Sequence, residues 1–135
     1  FGEKLVMRIF DPEVLVRNYR ELGFGERDDE LWQSMISQPN GIILVTGPTG
    51  SGKTTTLYST LKQLAKPEVN VCTIEDPIEY IHDHGNCIVT QREVGMDTES
   101  FDVALKNTLR QAPDVIMISA TLRPSKASLS DASNT

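Results

Sequence analysis

A glycine-rich segment, GPTGSGKT at residues 47–54, constrains this chain more than any other part of the sequence. It matches the full phosphate-loop pattern, in which glycines let the backbone curl so that several N–H groups converge on phosphate oxygens. The mechanism of such a loop requires a strand before it and a helix after it. The apolar run at 42–46 predicts the strand, and the apolar spacing over 54–66 predicts the helix. The segment therefore predicts an α/β fold with a nucleotide site, and the alternative is an ordinary glycine-rich turn.

The side chains of the loop predict how a nucleotide is held. Lys53 is expected to reach the β- and γ-phosphates, and the Thr54 hydroxyl is expected to ligate Mg²⁺. The other residues expected to line the phosphate site are Gly47, Pro48, Thr49, Gly50, Ser51, Gly52 and Thr55. The sequence contains no Asn-Lys-x-Asp guanine reader and no arginine-rich kinase lid. By elimination, ATP is favoured over GTP as the ligand.

The remaining apolar segments alternate between strand and helix. Strands are predicted at 69–74, 87–90 and 115–118, and a helix at 101–109 with Thr98 or Ser100 as its cap. Continuous apolar strands alternating with helices predict a mostly parallel sheet with helices on both faces. This is the arrangement of an α/β fold.

The N-terminal third is predicted to be more irregular. Residues 4–10 read as a strand, and Pro12 is placed to open a helix that includes Tyr19. After a charged loop, a second helix is predicted through Trp32 and Ile36, with Asp28 or Asp29 as its cap.

Length and charge limit the classes of function. A chain of 135 residues forms about one small domain, and a net charge of −6 argues against a general nucleic-acid or membrane-surface binder. No apolar run is long enough to span a bilayer, and the N-terminus has no signal-peptide pattern. Two cysteines are too few for a disulfide scaffold, so a cytoplasmic location is expected.

Three smaller features are predicted to be structural. His82 and His84 are expected to be solvated loop residues, and no metal pair is expected there. Cys72 is predicted to pack as a small core residue in its strand, and Trp32 is predicted to pack rather than to stack on a base.

Five stretches of the sequence together resemble the motor ATPases of type II secretion and type IV pilus systems, of the GspE/PilB/PilT type. They lie at 2–8, 46–58, 73–80, 91–94 and 109–118. The resemblance implies a RecA-like P-loop core, working as a homo-hexameric ring docked on an inner-membrane platform at the cytoplasmic face. It also implies that ATP hydrolysis moves pilin or pseudopilin subunits, with no nucleic-acid partner and no direct insertion into the membrane. The stretches do not distinguish secretion, pilus extension and pilus retraction.

The resemblance also implies roles for charged residues outside the loop. Glu75 is the candidate catalytic base and a member of the metal site with the loop threonine, and Asp76 is a candidate catalytic carboxylate on the Mg²⁺ side. The alternative for both is a turn that ends the strand. Arg92 and Arg110 resemble arginines that contact nucleotide phosphates, in some members across a subunit boundary, and the alternative is that they are solvated charges. Lys106 stands where many relatives have a further arginine, and it lacks the bidentate fork.

The sequence departs from the family pattern after residue 118. The family continues with Gly-Glu, whereas this chain continues with Ser119-Ala120, so Ala120 replaces the Walker B glutamate. Residues 119–135 are serine-rich and are predicted to form a flexible or foreign tail. Frameshifted sequence after a truncated gene, artificial sequence and a natural short protein are the three explanations. The histidine box of the family is not found in the chain.

The sequence thus predicts four segments. They are the end of an N-terminal domain strand at 1–10, a linker and helix at 11–40, a partial RecA-like core at 41–118 that is incomplete at its C-terminal side, and the tail at 119–135. Two functions remain open: the ATP-binding part of a secretion or pilus motor, and a non-hydrolysing nucleotide-binding or assembly fragment. The missing glutamate makes hydrolysis by this chain doubtful.

Overall fold

Strand β1 (Asn70–Asp76) lies at the centre of a parallel three-stranded sheet, between β2 (Ile88–Glu93) and β3 (Val115–Ala120). The structure is a computed structural model, and it describes residues 2–3, 5, 7, 17–82 and 87–120. A central parallel strand is covered on both faces, which is why its sequence is nearly continuous in apolar and β-branched residues. The predicted strands at 69–74, 87–90 and 115–118 are all confirmed, with small shifts of their ends.

Three helices accompany the sheet: α1 (Glu26–Ile36), α2 (Lys53–Leu64) and α3 (Phe101–Leu109). Helix α2 packs on one face of the sheet, where its apolar stripe meets alternate strand residues. The buried core of that face comprises Tyr58, Leu61, Val71, Val89 and Met117. Helix α3 packs on the opposite face, where Cys72 Sγ lies 3.8 Å from Gln111 Oε1, just beyond the end of α3. Successive strand side chains point to opposite faces, so both helices bury apolar surface of the same strand.

Helix α1 is joined to α2 through an aromatic group formed by Tyr19, Phe24 and Trp32. The three rings pack edge-on or tilted, with centroids 5.4–6.1 Å apart. Thr60 Oγ1 on α2 accepts hydrogen bonds from the Tyr19 hydroxyl at 2.8 Å and from Trp32 Nε1 at 3.2 Å. The predicted packing role of Trp32 is confirmed, and its indole fixes α1 against the helix that follows the phosphate loop.

The predicted strand at 42–46 is wrong. This segment carries no regular secondary structure, and Ile42 and Leu44 are 96% and 83% exposed. An apolar run becomes a strand only when a neighbouring strand pairs with its backbone, and no strand of the described sheet lies beside it. Each of these side chains forgoes the roughly 1.5–3 kcal/mol that full burial contributes.

The predicted cap of α1 is also wrong. Gly25, in an extended conformation, is the residue before the first helical turn, and Asp28 and Asp29 lie inside that turn. Acidic side chains stabilise the positive end of a helix from the first turn as well as from the cap. By contrast, Ser100 occupies the predicted position before α3.

Several predictions fall wholly or partly outside the described residues. The strand at 4–10 and the start of the helix from Pro12 belong to this group, as do His84 and residues 121–135 of the tail. The inclusion of Tyr19 in that helix is wrong, because Tyr19 lies in a turn. Within the described residues, β3 continues past Ile118 through Ala120.

Candidate functional site

The phosphate-loop segment is curled tightly in the structure. Gly47, Gly50 and Gly52 have φ values of 155°, 80° and 88°, a region that L side chains rarely adopt. A Cβ atom added to Gly47 would lie 2.6 Å from Ser51 Oγ, closer than such atoms approach each other. The loop therefore forms a tight cradle that favours glycine at its first position.

Lys53 places a positive charge over this cradle. Its Nζ donates hydrogen bonds to the carbonyl oxygens of Gly47 and Pro48, both at 2.8 Å. Lys53 is the first residue of α2, so the start of the helix fixes the position of its Cα atom beside the loop. The Lys53 ammonium group is thus held against the loop at the start of α2.

The N-terminus of α2 strengthens that site. Gly52 is the residue before the helix, and it has no side chain that could cap the first N–H groups. The first turn contains no acidic residue, so nothing within the helix neutralises the positive end of its dipole. Anions are stabilised at such a position, and the Thr54 hydroxyl lies in the same first turn.

Glu75 lies near the end of β1 and is buried, with only 1% of its surface exposed. Its Oε1 accepts hydrogen bonds from Thr73 Oγ1 at 2.6 Å and from Gln91 Nε2 at 3.1 Å. Its Oε2 accepts a short hydrogen bond from the hydroxyl of Tyr58 on α2. Three donors therefore compensate for removing this carboxylate from water.

Tyr58 is a permanent donor to this carboxylate. Burial, and next the hydrogen bond to Glu75, raises the pKa of Tyr58 well above its ordinary range. The phenol therefore keeps its proton over the whole physiological pH range. Its ring stacks on His82 with centroids 4.7 Å apart, and it meets Tyr80 edge-on. The expectation of a solvated His82 is wrong, because the ring of Tyr58 covers it.

Asp76 is the last residue of β1 and is half-buried. It lies beside Ala120 of β3 in the strand register, just as Glu75 lies beside Ser119. The two carboxylates are adjacent in sequence, so their side chains point to opposite faces of the sheet. The described residues contain no group of three or more His, Cys, Asp and Glu side chains arranged to hold a metal ion.

Among the described residues, Arg92 and Arg110 form no hydrogen bond or ion pair with the loop. Arg92 lies on β2 next to Gln91 in sequence, so it points to the face opposite the Glu75 network. Burial raises the pKa of the Cys72 thiol, and the positive charge of Arg92 partly opposes this effect. The Arg92 Nε atom is buried without a hydrogen-bond partner among the described residues. Arg110 is the exposed residue at the end of α3.

Three residues of the site were missed by sequence reasoning: Tyr58, Thr73 and Gln91. Tyr58 was not singled out on its helix, although it follows Thr54 by four residues and so shares its face. Thr73 and Glu75 are polar residues two apart in an otherwise apolar strand, and this spacing was a usable signal for a shared face. Gln91 lies on a different strand, β2, and no local sequence pattern predicts how β2 is aligned with β1.

The chain is similar to known proteins over most of its length. Residues 1–127 match the family described as type II/IV secretion system protein. The type IV pilus assembly ATPase TfpB of Acinetobacter baylyi is 55% identical over 118 residues, covering 87% of this chain and 20% of TfpB. The type II secretion system protein E of Xanthomonas campestris is 47% identical over 117 residues, again covering 87% of this chain and 20% of the relative. The chain thus spans about one fifth of the length of each.

A solved structure confirms the predicted fold class. The crystal structure of the pilus retraction motor PilT with bound ADP aligns with a TM-score of 0.67 and 35% identity. The alignment covers 82% of this chain and 38% of PilT. In the part of this chain that the structure describes, no helix is long and apolar enough to cross a bilayer. The motifs, the parallel sheet and these matches agree: the chain belongs to the type II/IV secretion system protein family.

Proposed function

We propose that this chain is the ATP-binding part of a motor ATPase that powers type II secretion or the assembly or retraction of type IV pili. The observation that carries the proposal is the cradle at Gly47 with the Lys53 ammonium held over it. This arrangement suits the β- and γ-phosphates of a nucleotide, which need converging N–H groups and a positive charge. The ADP bound to PilT, a relative with the same fold, supports the same ligand class.

Mg²⁺ is proposed to accompany the nucleotide, because the donor set suits a hard cation. The Thr54 hydroxyl and the Glu75 carboxylate, on the α2 side of the sheet, supply oxygen ligands directly or through water. Asp76 lies on the other face at the same end of β1, so it is proposed to act on the ion only through water. When bound, the ion would neutralise charge on the phosphate oxygens. Glu75 is proposed to orient and activate the attacking water, since its donors hold the carboxylate fixed near the end of β1.

The arginines are proposed to act on the nucleotide of a neighbouring subunit. Arg92 points away from the face that carries α2, and Arg110 is exposed at the end of α3. Neither arginine forms a hydrogen bond or ion pair with the loop among the described residues, and in a ring each could reach the nucleotide of the next subunit. We propose a homo-hexamer on an inner-membrane platform, with residues 41–118 as part of its ATPase core.

A second candidate is a nucleotide-binding or assembly fragment that does not hydrolyse ATP. The observation that favours it is Ala120, which lies beside Asp76 at the end of β3. A methyl group there supplies neither a ligand for a cation nor a charge to organise water. Electrostatic groups of this kind often contribute the largest share of catalysis.

Thermal unfolding with and without excess Mg-ATP tests the shared part of both candidates. At about 100 times Kd, a ligand is expected to stabilise the folded chain by about 2.7 kcal/mol. The stabilisation should vanish in Lys53→Ala and persist in Lys66→Ala, which removes an exposed lysine beyond α2. Equal stabilisation of both variants would contradict a phosphate site at the loop.

Phosphate release measured on the same samples separates the two candidates. Steady-state release that disappears in Lys53→Ala supports the motor ATPase. Binding without release supports the fragment.

A further inference from the structure

The helix that begins at the phosphate loop is tied directly to the candidate base. Thr54 and Tyr58 are four residues apart on α2, so their side chains lie on one face of the helix. The Tyr58 hydroxyl donates to Glu75 Oε2 near the end of β1. A displacement of the first turn of α2 therefore reaches the carboxylate through a single side chain.

The carboxylate is also tied to the segment that follows β1. Gln91 Nε2 donates to Glu75 Oε1 at 3.1 Å and to the Tyr80 carbonyl at 2.9 Å, while Gln91 Oε1 accepts the His82 N–H at 2.8 Å. Every polar atom of the Gln91 amide thus has a protein partner. Any movement of Glu75 must change the environment of this amide.

We propose that Tyr58 is a positioning residue that couples the phosphate loop to the Glu75 carboxylate. The inference rests on the proposed binding of Mg-ATP at the loop. Phosphates held by Lys53 and Thr54 set the position of the first turn of α2, and Tyr58 transmits that position to Glu75. The ring of Tyr58 is itself fixed by its stacking on His82 and its edge contact with Tyr80. Glu75 is thereby held in one orientation relative to the nucleotide.

The side-chain amide signals of Gln91, followed by NMR, test this coupling whether or not ATP is hydrolysed. Saturating Mg-ATP is expected to shift the Gln91 signals in the unmodified chain. Tyr58→Phe should reduce the shift, leaving only what Glu75 itself transmits, while the Kd for Mg-ATP stays within about twofold. Tyr80→Phe is the matched control, because it removes a hydroxyl from the same aromatic group and keeps the Tyr58–Glu75 bond. If Tyr58 had only a structural role, Tyr58→Phe would change the Kd for Mg-ATP and the Gln91 shift together, or would change neither.

The outcomes distinguish failure of the coupling from failure of the proposed function. A Gln91 shift that is the same in Tyr58→Phe, or one that is missing in the unmodified chain despite binding of Mg-ATP, overturns the coupling alone. No thermal stabilisation by Mg-ATP overturns the proposed function, and the coupling with it. Ring signals of ¹³C-labelled tyrosine in the unmodified chain guard against a variant that does not fold. A Tyr58 ring signal that saturating Mg-ATP leaves unmoved also overturns the coupling.

Discussion

Asp76 and Ala120 are register partners at the C-terminal ends of two neighbouring parallel strands. In a parallel pair, side chains at the same level of adjacent strands lie on the same face of the sheet. A carboxylate at position 120 would therefore stand beside that of Asp76. The resemblance to motor ATPases implies a glutamate at this position, so the missing group is one side chain in a strand that is otherwise formed.

Ala120→Glu is expected to raise the rate of phosphate release from Mg-ATP by at least about tenfold. A single group that acts as a general acid or base, or that stabilises charge in the transition state, commonly contributes a factor of about 10² or more. Position 120 is exposed, so the longer side chain has room. Ala120→Gln is the control, since it has the same shape without the charge. The rate is measured as steady-state phosphate release. Equal rates for the two variants would show that the missing charge is not what limits turnover.

Tyr58→Phe is expected to lower the free energy of unfolding at neutral pH by about 1.5–3 kcal/mol, the usual contribution of a hydrogen bond to a charged group. The hydroxyl is buried and bonded to Glu75, so its loss is not replaced by water. Urea unfolding followed by circular dichroism measures the change. A loss below about 0.5 kcal/mol would contradict a strong Tyr58–Glu75 bond.

The same variant is expected to alter the dependence of stability on alkaline pH. The pKa of Tyr58 is raised in the folded chain, so above about pH 10 the unfolded chain loses this proton while the folded chain keeps it. The contribution is therefore complete below about pH 10 and declines as pH rises further. Above about pH 10, Tyr58→Phe should show a shallower loss of stability with rising pH than Tyr80→Phe does. Parallel curves for the two variants would contradict the prediction.

Thr60→Val is expected to destabilise the chain by about 2–4 kcal/mol. The Thr60 hydroxyl oxygen accepts hydrogen bonds from both Tyr19 and Trp32. Removing it leaves these two buried or partly buried donors without their acceptor, and each unsatisfied donor costs about 1–3 kcal/mol of stability. Trp32 is the single tryptophan of the sequence, so its fluorescence follows unfolding directly. Thr60→Ser restores the oxygen and should recover most of the loss. A serine variant as unstable as the valine variant would assign the effect to packing instead.

Exposed apolar residues in the segment before the loop are expected to promote self-association. Ile42 and Leu44 lie close together and almost fully exposed, and their backbone pairs with no strand of the described sheet. Replacing both with lysine should lower the associated fraction in sedimentation velocity and change the free energy of unfolding by less than about 0.5 kcal/mol. Met96→Lys, at another exposed position, is the control and should not affect association.

The local patterns predicted most elements but not the pairing of every one. The apolar spacing of α2 and the runs that became β1 and β3 carry their structure in neighbouring residues, so sequence was sufficient for them. The segment at 42–46 has an equally apolar sequence, yet it forms no strand because no strand of the described sheet pairs with it. No local pattern specifies whether such a partner is present. Propensity decides whether a segment suits a strand, and pairing decides whether it becomes one.

The same limit applies to the site. The loop was predictable because its function is carried by contiguous residues, and Glu75 was identified through family resemblance. Its donors come from α2, β1 and β2, so only the three-dimensional register brings them together. The positions of Arg92 and Arg110 relative to the loop likewise depended on which face of the sheet each element covers.

The two hydrogen bonds of Lys53 to Gly47 and Pro48 have a consequence for the affinity of the loop. A free lysine side chain carries about 2 kcal/mol of rotamer entropy, which binding would otherwise have to remove. Here the loop carbonyls already restrict the side chain in the folded chain, so under the proposed function less of this freedom would remain to be lost when phosphate binds. Binding then exchanges neutral acceptors for anionic ones, and charge-assisted bonds are the stronger kind. Under the proposed function, the preference of the loop for anions would come from the difference between the bonds of Lys53 to carbonyl oxygens and its bonds to phosphate oxygens.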